Sequence, residues 1–312
     1  VSWLPKGNGV VKARLRYLHQ PQPVAEQGGE PPERQSLPAL DIVAERFVLD
    51  GRELGRLELQ AFNERGGWRI DHVALATAAG TASASGYWRP ARLGQERTDL
   101  NIKVQVQNIG AYLKQFGYED TVRGGEGELS GQVGWNGPPT ALDYGSLSGT
   151  LQLRAENGQF VQIKPGMGRL LGVLSLQALP RRIALDFKDV FGEGFAFDRI
   201  DGTATITRGV IRTDNLGMVG PSATVVITGT ADLARETQNL HVRVVPTVGD
   251  SVATAAGLAL LNPVVGVGAW IAQRILKDPI GQMFAYEYAI TGSWHDPKVQ
   301  KLRAPDEEGN AP

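Results

Sequence analysis

The chain has 312 residues, with 32 Lys plus Arg against 33 Asp plus Glu, a formal charge of −1, no Cys and 39 Gly. That balance offers no basic field to nucleic acid, whose binding rests on cations displacing counterions from phosphate, so no nucleic-acid partner is expected. Without thiols there is no disulfide framework, Cys nucleophile or thiolate metal site, and any metal would need four His and the carboxylates.

Glycine stands well above the usual level of about 7%, and with 42% hydrophobic residues the composition predicts a folded, turn-rich chain. The sequence opens at Val1 without a charged and then apolar leader, so any signal peptide or anchor is expected upstream of it.

Period-two alternation dominates from the first residues onward. Val11, Ala13, Leu15 and Tyr17 alternate with Lys12, Arg14 and Arg16, and Leu57, Leu59 and Ala61 alternate with Arg56, Glu58 and Gln60. Leu100, Ile102, Val104 and Val106 interleave with Asp99, Asn101, Lys103, Gln105 and Gln107. The pattern recurs at Leu147, Leu151 and Leu153, at Val225 and Ile227, at Leu240, Val242 and Val244, and at Phe284, Tyr286, Tyr288 and Ile290. Such segments predict strands with one dry and one wet face, as in antiparallel meanders.

Turn signals at Asp50–Gly51, Gly66–Gly67, Gly124–Gly125, Asn157–Gly158 and Arg208–Gly209 divide the chain into about 14 to 18 strands. A loose repeat of Ser or Thr followed by Gly, at Gly86, Gly131, Gly229 and Gly292, reads either as strand-end turn chemistry or as β units stacked along an axis.

Helical signals interrupt this pattern. Residues 108–117 predict a short helix, with Asn108 as N-cap, Ile109, Tyr112, Leu113 and Phe116 on one face and Gly117 as stop. Residues 165–179 predict a second, ended by Pro180. Ser251 to Gln273 carries no charge, but Asn262 and Pro263 in its middle and three glycines favour two apolar helices over one span. Packing on the protein's own dry face, interfacial insertion and a true span all stay open.

The resulting organisation is a β segment over 1–246 with an insertion at 20–38, an apolar helix pair at 247–278, a closing strand at 279–302 and a disordered tail at 303–312.

Catalytic signals are thin. His19, His72, His241 and His295 lack metal-pair spacing and any neighbouring nucleophile motif. Asp186 with Asp189, and Asp198 with Asp201 before Gly202, read as turn residues better than as an acid–base pair. Gly166 and Gly168 are followed by no phosphate-loop ending. No enzyme activity and no cofactor are expected.

One resemblance is specific. Gly168-Arg169-Leu170-Leu171-Gly172, then Leu176 to Arg182, Leu185-Asp186-Phe187, Asp189-Val190-Phe191 and Gly194 to Asp198 form a run that resembles the C-terminal region of the YhdP family. The likeness continues through Gly220-Pro221, Gly229, Asp232-Leu233, Pro263 to Leu276, and Tyr288, Thr291-Gly292, Trp294 and Asp296-Pro297. That family belongs to the AsmA-like group, with TamB.

The resemblance implies a mainly β fold of stacked antiparallel units forming an open, taco-like groove, with short helices including the C-terminal apolar pair. It also implies a bridge-like carrier of phospholipid between inner and outer membranes of a diderm bacterium, periplasmic and held in the inner membrane by a segment absent here. On that reading Leu100, Ile102, Val104, Val106, Leu151, Leu153, Leu170, Leu171, Leu174, Val225 and Ile227 line the groove. Leu258, Leu260, Leu261, Val264, Val265, Trp270 and Ile271 contact a membrane or cap the groove. An outer-membrane protein partner, served through β-augmentation, is the competing implication.

Overall fold

A computed structural model describes residues 2–4, 9–20, 38–49, 51–64, 67–90, 96–161, 194–246 and 285–303. The first strands are β1 (Ser2–Leu4), β2 (Val10–Gln20), β3 (Ala39–Leu49), β4 (Arg52–Glu64) and β5 (Gly67–Ala76). Next come β6 (Gly80–Pro90), β7 (Glu96–Val106), helix α1 (Ile109–Gln115), β8 (Val122–Asn136) and β9 (Ser148–Phe160). The series ends with β10 (Phe195–Thr207), β11 (Val210–Val219), β12 (Ala223–Asp232), β13 (Thr237–Pro246), β14 (Tyr286–Ser293) and β15 (Pro297–Arg303).

These strands form one 15-stranded sheet in sequence order, open because β1 and β15 do not pair. The mainly β, antiparallel fold expected from the alternation is borne out, and so is the open sheet that the resemblance implies. Every neighbouring pair is antiparallel except β2 and β3, which run parallel. A parallel pair needs a crossover of a dozen or more residues, and residues 21–38 supply the length.

The short helix is where the sequence predicts it. The Asn108 side chain accepts a hydrogen bond from Ala111 N at 2.9 Å, satisfying one of the free donors of the first turn. At the other end Gly117 adopts φ 85°, its N–H donates to Lys114 O, and Tyr118 N donates to Leu113 O. This Schellman arrangement needs a left-handed residue, which glycine supplies without a Cβ clash.

Several sequence expectations are corrected. Gly124–Gly125 and Asn157–Gly158 are not turns: they lie inside β8 and β9, opposite each other, at a local skip in the ladder. Asp198 and Asp201 do not precede a turn either, since β10 runs unbroken through both. Asp201 is instead a buried side chain, 3.3 Å from Arg154 Nε and 3.7 Å from Arg199 Nη2.

Tyr17 leaves the dry face: β3 skips register between Ala44 and Phe47, Leu18 takes the inward position opposite Phe47, and Tyr17 is 55% exposed beside His19. By contrast Arg208–Gly209 forms the expected two-residue hairpin turn, with both φ angles positive.

The predicted helix at 165–179 and the apolar pair at 247–278 lie outside the described residues.

Candidate functional site: the apolar face of the sheet

Side chains of directly paired residues point to the same face of a sheet, so the register decides what each face carries. One row runs Ile42, Leu59, Val73, Ala84, Ile102, Gly131, Leu151, Ala204 across β3 to β10, each paired with the next. Beside it runs Leu75, Ala82, Val104, Leu129, Leu153, Gly202, and on its other side Ile70, Gly86, Leu100, Val133, Gly149, Ile206.

The reverse face is polar in the same order. Thr81, Gln105, Glu128, Arg154 and Asp201 form one row, and Lys103 Nζ lies 3.3 Å from Glu128.

Small residues interrupt the large ones along the apolar rows, and here the glycines show their use. Gly86, Gly131 and Gly229 were read from sequence as strand ends; they sit inside β6, β8 and β12, on the apolar face. At Gly131, φ is 159°, and a Cβ would overlap the Thr150 carbonyl oxygen of β9. At Gly86, φ is 153°, and a Cβ would overlap the Asp99 carbonyl oxygen of β7. Glycine therefore permits a close backbone approach within the sheet. The signal was legible, because Gly131 falls in phase with Leu129 and Val133.

Both margins of this face are built up. At one, turn follows turn through backbone hydrogen bonds: Gly137 N to Glu96 O, Gly209 N to Leu147 O, Leu233 N to Gly209 O and Trp294 N to Glu236 O. Trp135, Leu147, Ile206, Ile211 and Leu233 pack there as one buried cluster. Thr98, fully buried at the same margin, donates to Gly137 O at 2.7 Å.

At the opposite margin α1 lies on the apolar face. Its Ile109 and Leu113 pack towards Val122 and Ala155, and Phe116 packs towards Leu54 and Leu57. Arg52 Nη1 donates to Phe116 O, tying β4 to the end of the helix. Burial in this setting pushes the Tyr112 hydroxyl up from its ordinary pKa.

Between the margins the expected groove residues divide. Leu100, Ile102, Val104, Val106, Leu151 and Leu153 share one face and are all half-buried. Val225 and Ile227 point to that same face, but at 1% and 4% exposure they belong to a packed core with Leu240, Val242, Val244, Tyr288 and Ile290. Leu170, Leu171 and Leu174 lie outside the described residues, as do Leu258, Leu260, Leu261, Val264, Val265, Trp270 and Ile271.

The residues missing from the expected groove set are Ile42, Leu59, Val73, Leu75, Ala82, Ala84, Leu129, Val133 and Ala204, which share the half-buried rows.

Ionic groups on the wet face pair with one another. Glu287 accepts from Arg243 Nη2 at 2.6 Å and lies 3.0 Å from His241 Nε2. Burial alone would raise the Glu287 carboxyl, but the hydrogen bond and charge of Arg243, with His241, hold it below the usual carboxylate range. Among the described residues no group of three or more His, Asp or Glu could hold a metal ion. Among them, too, no helix is long and apolar enough to cross a membrane.

The family profile described as "YhdP protein" matches residues 1–299. The chain belongs to the YhdP family. It is 29% identical, over 318 aligned residues, to the intermembrane phospholipid transporter YhdP of Escherichia coli strain K12. The alignment covers 97% of this chain and 25% of that protein, so the chain spans about a quarter of its relative's length. No solved structure matches significantly.

Proposed function

We propose that this chain is part of an intermembrane phospholipid transporter, and that its half-buried apolar rows receive acyl chains while head groups stay in water. The observation that carries this reading is the register. Ile42, Leu59, Val73, Ala84, Ile102, Gly131, Leu151 and Ala204 form an unbroken half-buried line. Seven inter-strand steps of about 4.8 Å give a track of about 34 Å.

Each methylene moved from water onto such a surface contributes up to about 0.8 kcal/mol, so a continuous track offsets the cost of leaving a bilayer without any covalent step. The name of the Escherichia coli relative supports the cargo. In this reading the sheet works in the periplasm of a diderm bacterium as a segment of an open bridge between inner and outer membranes, anchored through a part of the protein outside this sequence.

The competing role, assembly of outer-membrane proteins by strand addition, would use the free edge of β15. That strand carries Lys298, Lys301 and Arg303 within seven residues, a composition that discourages edge pairing.

The test is mass spectrometry of lipid that co-purifies with the protein and with Ile102→Asp. Phospholipid on the native chain and its loss from a folded Ile102→Asp protein are expected. A native protein free of phospholipid would overturn the reading.

A further inference from the structure

The apolar face does not stay open to the end of the sheet. From β3 to β9 its central row is half-buried, whereas from β11 to β14 the same face is filled: Met218 is 3% exposed, Val242 1% and Tyr288 1%. The change falls at β10 and β11, where large side chains meet glycines of the neighbouring strand. Phe197 of β10 leans over Gly158 of β9, where a Cβ would strike its ring, and its ring centroid stands 5.2 Å from that of Phe160. Leu216 of β11 leans over Gly202 of β10, where a Cβ would strike both its Cα and its Cδ1. Nearer the turn margin, Ile206 and Ile211 close against Trp135 and Leu147.

A large side chain therefore steps across the strand boundary at three levels along β10 and β11. At two of them it lands where the neighbouring strand has glycine. Thr213, buried next in line, donates to Thr203 O at 2.8 Å and presents no free hydroxyl to a ligand.

We propose that these residues form a terminal step in the lipid track. On this inference, which rests on the lipid-carrying reading, acyl chains occupy the face from β3 to β9, and β11 to β14 are a permanently packed keel that lipid never enters. Packing explains why. A core filled to native density has no room for an acyl chain unless its own side chains are displaced, and each displaced large side chain forfeits its buried contacts. The step would thus set where the cargo must leave the sheet, and it assigns Phe197, Leu216, Ile206 and Ile211 the role of a barrier.

The experiment needs no substitution in the core. The native protein is incubated with phosphatidylethanolamine and phosphatidylglycerol vesicles that contain a phospholipid with a diazirine in its acyl chain. It is then irradiated, and labelled residues are mapped by mass spectrometry. Labelling on Ile42, Leu59, Val73, Ile102 or Leu151, with loss of labelling beyond β10, is the expected result. Labelling of Ile227 or Val242 at the level of Ile102 would overturn the terminal step while leaving the lipid reading intact. Absence of label anywhere on the chain would overturn both.

Discussion

The strands from β3 to β9 and those from β11 to β14 belong to one sheet, show the same alternation and turn their apolar residues to the same side. Ile102 and Val104 are nevertheless half-buried, while Val225 and Val242 are almost wholly enclosed. Two stretches with equivalent patterns thus differ in burial, one only partly covered and one enclosed as core. The lesson is that alternation reports which face is dry and leaves open what covers it.

The sharpest way to break this comparison is to place a carboxylate in each half. Val242→Asp should abolish cooperative folding, because an unpaired buried charge costs at least several kcal/mol. Val104→Asp should keep the fold and lose bound phospholipid. Urea unfolding followed by circular dichroism distinguishes them, and equal destabilisation by the two would erase the distinction.

Shortening side chains sharpens it further. Ile290→Ala in the packed half should cost about 2–5 kcal/mol, and Ile102→Ala less, since part of its surface already meets solvent.

Gly131→Val tests whether the open rows depend on glycine. With φ at 159° and the Thr150 carbonyl in the way, the substitution should destabilise by about 1–3 kcal/mol. A melting temperature unchanged by it would show that β8 and β9 can part without cost.

Asn108→Ala, at the margin of the open half, should cost about 1 kcal/mol and raise hydrogen exchange across Ile109–Gln115 with little effect on β12 or β13.

The smallest effect is acid sensitivity in the packed half. Glu287 has a lowered pKa in the folded chain, so its contribution to stability is present above the ordinary Glu range and disappears as pH falls through the lowered value. Glu287→Gln should therefore flatten the acid limb of the stability curve. An unaltered limb would mean that other carboxylates govern it.

Much of this architecture is legible in the chain. The strands around Leu57, Leu100, Val225 and Leu240 follow directly from alternation, and α1 follows from Asn108, its apolar face and Gly117. The misreadings share a cause. Gly124–Gly125 and Asn157–Gly158 carry turn composition, but two such skips opposite each other keep the ladder intact, and their pairing joins residues far apart in sequence. Tyr17 left the dry face because β3 skips register beside it, which nothing in β2 announces.

By itself, the sequence determined which residues share a face, because a side-chain period of two is a local property of extended backbone. It also determined, through its long match to the YhdP family, which proteins this chain resembles. Only the tertiary structure decided which part of the dry face is covered. Val225 sits enclosed with Met218 and Val244 as its cross-strand partners, Val104 is only partly buried with the small Ala82 as its partner, and between the two halves Phe197 meets Gly158 and Leu216 meets Gly202. Those contacts join residues that are distant along the chain, and their occupancy is set by packing in three dimensions.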